Sequence, residues 1–224
     1  MEYKIAEKFV SINGEGTKAG QLAVFIRLCG CNLNCSYCDT KWANEKDVPF
    51  TLMTEEELAS YVEDTGVKNI TLTGGEPLLD KDNEDVKLLL SRLSKIKDVF
   101  IEIETNGSIA IEQFKDVATN ISFTMDYKLP SSNMEELMCL DNFNHLRSMD
   151  TVKFVAGSEN DLKKVKEIIK KYKLTEKCNV YISPVFGNIE PVDIVDFMIT
   201  NKLNDVNLQL QLHKIIWDPE KKGV

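Results

Sequence analysis

Cys31, Cys35 and Cys38 fall in the run Cys-Asn-Leu-Asn-Cys-Ser-Tyr-Cys, a spacing that keeps three thiols within one short loop. A structural zinc or an electron-transfer iron–sulfur cluster takes four protein ligands. Three thiolates on a 4Fe-4S cluster leave one iron open, and an open iron can bind and activate a small molecule. Two other uses of the same cysteines compete. Cys29, two residues upstream, could complete a four-thiolate zinc site, but zinc sites usually come as two short ligand pairs separated by a longer stretch, and no second pair exists here. The six cysteines also make an even count for disulfides. Met1 to Val10, however, carries Glu2, Lys4, Glu7 and Lys8 rather than the apolar core of a secretory leader. The spacing favours the open cluster, and Cys29, Cys139 and Cys178 are then expected as buried thiols packing as small apolar groups.

A loop of this kind needs a scaffold, and the chain alternates. Apolar, β-branched runs recur at Ala23 to Leu28, Asn69 to Thr73, Val99 to Ile103, Ile121 to Met125, Thr151 to Val155, Asn179 to Ser183 and Val206 to Leu210. Amphipathic segments lie between most of them: Thr54 to Asp64, opened by Thr54 and Glu57 at capping-box spacing; Asp82 to Ile96; Asp161 to Lys171; and Pro191 to Lys202, with Pro191 in its first turn. Strands alternating with helices through short connections predict a parallel α/β sheet, because parallel neighbours need a crossover. The chain is short for a closed barrel, which takes ~250 residues. The expectation is therefore an incomplete, open β/α barrel, with residues 1–224 as a single domain. The irregular stretch from Ser131 to Asp150 reads as a helix with a loop.

Composition bounds the partners. At 224 residues and 43% apolar, the chain can bury a substantial core. No stretch approaches the ~18 consecutive apolar residues of a membrane span. A net charge of −9 argues against a nucleic-acid partner. Reduced thiols and no leader fit a cytoplasmic protein.

In parallel α/β folds the functional site lies at the C-terminal ends of the strands. Here those ends lead into the cysteine loop, Gly74-Gly75-Glu76-Pro77, Glu104-Thr105-Asn106-Gly107, Asp126-Tyr127-Lys128, Ser183-Pro184, and Gln211 with His213. Two glycines before a proline are a common turn. They also bare a backbone edge that a ligand carrying amino and carboxylate groups can approach closely.

The Cys-x3-Cys-x2-Cys run with Tyr37 before its last cysteine, followed after the next strand by Gly-Gly-Glu-Pro, resembles the radical S-adenosylmethionine enzymes. The match narrows with Ser11-Ile12-Asn13-Gly14-Glu15-Gly16, Phe25-Ile26-Arg27-Leu28, Gly30-Cys31-Asn32-Leu33, Cys38-Asp39-Thr40, Tyr127-Lys128-Leu129-Pro130-Ser131-Ser132 and Gln211-Leu212-His213-Lys214. From about residue 5 to about residue 217 the chain is similar to the 7-carboxy-7-deazaguanine synthase family. Asn13 stands where that family usually has glutamine, and the tail after Trp217 aligns with nothing secure.

The resemblance implies ring contraction of 6-carboxy-5,6,7,8-tetrahydropterin to 7-carboxy-7-deazaguanine with loss of ammonia, in the route to queuosine and related deazapurines. It implies a 4Fe-4S cluster on Cys31, Cys35 and Cys38, S-adenosylmethionine on the open iron, and a magnesium ion at Thr40. Tyr37, Cys38, Asp39, Gly75, Glu104, Asp126, Tyr127, Lys128 and Ser183 are the expected cofactor contacts. Ile12, Asn13, Gly14, Glu15, Arg27, Thr73 and His213 are the expected substrate contacts, with Arg27 holding the pterin carboxylate. For Asp39 and Thr40 the simpler reading is a turn cap. A flavodoxin or ferredoxin is the expected electron donor and a homodimer the expected assembly. The competing functions are an enzyme that installs a glycyl radical on a partner protein, and a small iron–sulfur electron carrier.

Overall fold

A computed structural model of the chain describes residues 1–79, 84–219 and 221–224. Within it, nine strands make one sheet: β1 (Glu2–Ile12), β2 (Leu22–Leu28), β3 (Thr51–Thr54), β4 (Asn69–Gly74), β5 (Phe100–Thr105), β6 (Ile121–Tyr127), β7 (Thr151–Ala156), β8 (Asn179–Pro184) and β9 (Asn207–Leu208). The order is β3-β1-β2-β4-β5-β6-β7-β8-β9, and the two edge strands do not pair, so the barrel is open as expected. From β2 onward every pairing is parallel, whereas β1 runs antiparallel to both β2 and β3. This antiparallel edge is an addition to the expected pattern.

The helices are α1 (Glu55–Thr65), α2 (Glu84–Leu93), α3 (Glu159–Tyr172), α4 (Pro191–Asn201) and a short α5 (Leu212–Ile216). The first positions expected for α2, at Asp82 and Asn83, lie outside the described residues. At the start of α1 the Glu57 amide donates to Thr54 Oγ1 (3.2 Å) while Glu57 accepts from the Thr54 amide (2.7 Å), and Gly66 ends the helix at φ 66°. Thr54 ends the edge strand β3 and is not among the residues lining the polar cavity. Thr54→Ala should therefore cost about 1 kcal/mol and lower the melting temperature by roughly 2–4 °C, with activity unchanged; thermal unfolding beside a turnover assay checks it.

The stretch expected as a helix with a loop contains no α-helix. It forms three 3-10 turns at Pro130–Ser132, Glu135–Leu137 and Leu140–Asn144. Side chains satisfy the backbone here instead of a helical ladder. Asn142 accepts from the Ile111 amide (3.0 Å) and donates to the Ile109 carbonyl (2.8 Å), and the Asp161 carboxylate accepts from the amides of Ser131 (3.0 Å) and Gly157 (2.8 Å).

Alternate residues of each strand point to opposite faces. One face carries Val24, Ile26, Ile70, Leu72, Ile101, Ile103 and Phe123, buried against Leu58, Val62, Leu89 and Leu93 of α1 and α2. The same face continues through Met125, Tyr127, Val152, Phe154 and Ile182 against Leu162, Val165, Ile168 and Ile194 of α3 and α4. The other face carries the alternate set, among them Arg27, Thr73, Glu104, Asp126 and Lys153. Parallel strands covered on both faces usually read as continuous apolar runs. The Ile-Glu-Ile-Glu alternation of β5 instead marks a sheet with one face lining a polar cavity.

Candidate active site

That cavity has a volume of about 850 Å³. Cys31, Cys35, Cys38, Tyr37, Asp39, Thr40, Ile12, Gly14, Glu15, Arg27, Thr73, Gly75, Glu104, Asp126, Lys128 and His213 all line it. Most residues expected from the sequence thus meet in one place. A second groove of about 560 Å³ beside α3 and α4 holds none of them.

The cysteine loop leaves β2 and is tied down on two sides. Toward the glycine edge, the Glu76 amide donates to the Gly30 carbonyl (2.9 Å) and the Gly75 amide to the Leu28 carbonyl (3.2 Å). Toward the turns after β6, Ser36 donates its amide to the Ser132 carbonyl (3.1 Å) and its hydroxyl to the Ser131 carbonyl (2.6 Å). All six cysteines are free thiols. Burial pushes the Cys35 and Cys38 thiols up, as expected for uncharged sulfur away from water. Cys29, Cys139 and Cys178 are half-buried rather than buried.

Three observations show that the residues fit an iron–sulfur cluster with an amino-acid-like cofactor beside it. The three sulfurs face one cavity. Cys31 accepts an N–H bond from the Leu33 amide (3.4 Å) and Cys38 one from Thr40, the support that a cluster thiolate receives. The edge at Gly75 is bare by necessity, since any β-carbon there would overlap the Gly30 carbonyl and the Asn44 amide oxygen. That amide oxygen is buried with no hydrogen-bond donor and faces the edge where a ligand ammonium would lie. Among the described residues, no three His, Cys, Asp or Glu side chains are already gathered at metal-holding distances.

Glu76 itself points away from the cavity and braces it. Its carboxylate accepts from the amides of Asn106 (2.6 Å) and Leu78 (3.0 Å) and from the Thr105 hydroxyl (2.8 Å). Burial outweighs these bonds and pushes its pKa up to about 7.

On the other side of the cavity sits a charge network. Lys153 Nζ lies 3.1 Å from Glu15 Oε2 and 3.2 Å from Asp126 Oδ1, and Lys128 Nζ donates to Asp126 Oδ2 at 2.8 Å. Burial pushes the Asp126 carboxyl up, but Lys128 and Lys153 outweigh it and hold the group below the usual range. Deeper in, burial and the neighbouring Glu104 raise Glu102 to about 7, where Thr124 donates to it. Arg27 Nε donates to Glu7 (2.8 Å) and Nη1 reaches the Gly74 carbonyl at 3.5 Å. Among the described residues Nη2 has no protein partner, so part of the guanidinium fork stays available.

Thr40 stands at the N-cap of a 3-10 turn (Lys41–Asn44), yet its side chain makes no capping bond. Its hydroxyl donates to Asp39 Oδ1 (2.9 Å), and Lys214 reaches the same carboxylate at 3.3 Å. Lys214 and Thr40 overcome the effect of burial and hold Asp39 below its usual pKa. The simple turn cap is therefore not what these residues make.

Three expected residues do not line the cavity. Tyr127 is one position from Asp126 on the same strand, so it faces the helices. It packs on Phe143 and Phe154 (ring centroids 5.9 and 5.7 Å away) and donates to Glu135 (2.9 Å). Asn13 is buried and accepts from the Thr71 hydroxyl at 2.8 Å. Ser183 lies beneath Glu15, donating to Glu15 Oε1 (3.2 Å) and to the Gln209 carbonyl (3.1 Å). Unanticipated lining residues include Lys153, Asn44, Trp42, the parallel-stacked Phe9 and Phe25 (4.9 Å, 7°), and Pro219, Lys221, Lys222, Gly223 and Val224.

Residues 25–199 match the Radical SAM superfamily, the class that an open parallel sheet with a three-cysteine loop after its first parallel strand defines. Over all 224 residues, and the full length of the relative, the chain is 61% identical to 7-carboxy-7-deazaguanine synthase of Clostridium acetobutylicum. It is 38% identical over 216 residues to that of Methanospirillum hungatei JF-1, covering 96% of this chain and 86% of the relative. The chain belongs to the 7-carboxy-7-deazaguanine synthase family of radical S-adenosylmethionine enzymes. Among solved structures, the crystal structure of QueE from Escherichia coli shares the fold with a TM-score of 0.73, over 94% of both chains at 21% identity. A radical SAM methyltransferase from Sphaerobacter thermophilus shares it at 0.57, over 85% of this chain and 66% of that one at 15% identity.

Proposed function

We propose that this chain converts 6-carboxy-5,6,7,8-tetrahydropterin to 7-carboxy-7-deazaguanine with release of ammonia. The observation that carries the reading is the single cavity that unites the three cysteines and the glycine edge with Arg27, Glu15 and Thr40. When bound by Cys31, Cys35 and Cys38, the cluster and S-adenosylmethionine supply the one-electron cleavage and the carbon radical that the ring contraction needs.

The chain's own residues bind and orient. Arg27, anchored at Nε by Glu7, offers its remaining N–H groups to the pterin carboxylate. Glu15, fixed by Lys153 and Ser183, accepts from the N–H groups of the aminopyrimidinone edge. His213 packs its Nδ1 against the Gly14 backbone, and burial lowers its pKa, so it meets the substrate as a neutral ring. Phe9 and Phe25 give the flat ring an apolar wall. Gly75 and Asn44 receive the methionine ammonium of the cofactor, while Tyr37, Asp39, Glu104, Asp126 and Lys128 surround the rest of it. Thr40 and water would hold a magnesium ion beside the substrate, in keeping with the oxygen ligands that this cation prefers.

Other parts of the reading rest on the family and on composition. An external flavodoxin or ferredoxin delivers the electron, and the chain works as a homodimer. The continuous sheet supports treating residues 1–224 as one domain. Six free thiols support a cytoplasmic location, and among the described residues no helix is long and apolar enough to cross a membrane.

The test is an anaerobic assay of the reconstituted protein with reductant, S-adenosylmethionine, magnesium and 6-carboxytetrahydropterin. Product is expected, and Thr40→Ala should lower turnover on the order of tenfold or more while raising the magnesium concentration for half-maximal rate. Cofactor cleavage with no deazaguanine product would leave the radical chemistry standing and sink the substrate.

A further inference from the structure

Asn106, the first residue after β5, is 7% exposed. Its Oδ1 accepts from the Ser108 amide (2.9 Å) and from the Ser108 hydroxyl (2.6 Å). A backbone N–H can only donate, so the carbonyl end of the Asn106 amide must face Ser108 and the NH2 end must face away. On that far side Nδ2 lies 3.0 Å from Asn32 Oδ1 and 3.5 Å from Cys31 Sγ. Asn32 then donates its own Nδ2 to the Ser108 hydroxyl (2.8 Å), which closes a ring of three side chains. The Asn106 backbone is held as firmly, because its N–H donates to Glu76 Oε2 at 2.6 Å. Among the described residues, Cys31 is the one thiol of the three with a side-chain N–H donor; the bonds to sulfur from Leu33 and Thr40 are backbone bonds.

We propose that Asn106 tunes the cluster's reduction potential by donating its amide N–H to the Cys31 sulfur, with the Asn32–Ser108–Asn106 ring locking the amide in that orientation. The proposal rests on Cys31 being a cluster ligand. The physical basis is electrostatic. Reduction adds negative charge that spreads onto the cluster sulfurs, and an N–H dipole aimed at one of them stabilises the reduced form and raises the potential. Asn106 is itself buried, so its N–H dipole acts on the sulfur with less screening than in water. The turn thus links the cysteine loop, through Asn32 and Cys31, to the glycine edge, through Glu76.

The experiment compares reconstituted wild-type protein with Asn106→Ala, Asn106→Asp, Ser108→Ala and Cys31→Ala. Iron and sulfide content and the electron paramagnetic resonance signal of the reduced protein establish whether a cluster is present. A redox titration followed by the same signal gives its midpoint. Asn106→Ala should move the midpoint negative and Asn106→Asp further, because a carboxylate replaces the donor with an anion. Ser108→Ala should give a smaller negative shift, because the Ser108 amide still orients Asn106. Fully loaded Asn106→Ala and Asn106→Asp that titrate with the wild type would overturn the proposal. If Asn106→Ala does not hold a cluster, the near-isosteric Asn106→Asp and the Ser108→Ala variants decide by the same criterion. Full iron in Cys31→Ala would instead overturn the ligand assignment beneath it.

Discussion

Lys153→Met is expected to destabilise the protein by about 3–5 kcal/mol at neutral pH and to lower kcat/KM on the order of 10²- to 10³-fold. Lys153 is 8% exposed and sits between Glu15 and Asp126, one on the loop after β1 and one on the neighbouring strand β6. Methionine matches its length and packs without a void, so the loss comes from two carboxylates left facing each other in a buried site. The pH dependence distinguishes this from simple misfolding. Asp126 has a lowered pKa when folded, so its contribution is present above the unfolded value near 4 and is lost as pH falls below it. Lys153 has a raised pKa, so its contribution is present below about 10.4 and is lost as pH climbs past its folded value. The stability gap between wild type and variant should therefore be widest between those limits and narrow as pH drops through the carboxylate range. Denaturant unfolding at pH 7.5 and well below pH 4 measures it, and an unchanged gap would remove Lys153 from the electrostatic account.

Gly75→Ala should cut reductive cleavage of S-adenosylmethionine on the order of 10²-fold and cost about 1–3 kcal/mol of stability. A methyl group there meets the Gly30 carbonyl, which is backbone and already accepts from the Glu76 amide at 2.9 Å. Gly30 cannot retreat easily, because its own amide donates to the Ala43 carbonyl at 3.2 Å. The glycine edge must therefore shift away from the cysteine loop, and the cofactor's ammonium loses its seat beside Asn44. Cofactor binding to the reconstituted variant and methionine release under reductant report this. Wild-type cleavage in Gly75→Ala would show that the edge tolerates a side chain and that the assignment of its role is mistaken.

The parallel strands and four main helices were legible because each carries its own periodicity and, at Thr54 and Pro191, its own start signal. β1 was not. Its charges, Glu2, Lys4, Glu7 and Lys8, masked the buried pair Tyr3 and Ile5, and nothing local announces an antiparallel partner lying beyond the Asn13–Gly20 turn. The segment after Ser131 failed for a related reason: Ser131 bonds to Asp161 and Asn142 bonds to the backbone of Ile109 and Ile111, all outside the segment. At the site, Arg27 was recognised as a charge inside an apolar strand, and Lys153 carries the same signal between Val152 and Phe154. Tyr127 could have been set aside on strand parity alone, since Asp126 and its immediate neighbour cannot face the same side. Ser183 faces the right side but is covered by Glu15, a fact that depends on contacts across 168 positions of chain.

The wall that closes the cavity is made by residues from opposite ends of the sequence. The Gly14 carbonyl accepts from the Leu212 amide, the Gly16 amide donates to Gln209 across 193 positions, and Lys214 meets Asp39 across 175. None of these contacts belongs to the strand ladder. Loop-closure entropy delays contacts of such separation relative to local ones. The bulk of the sheet and its helices can thus form first, leaving the cysteine loop open along that side until residues 209–214 dock against the Gly14–Gly16 and Asp39 loops.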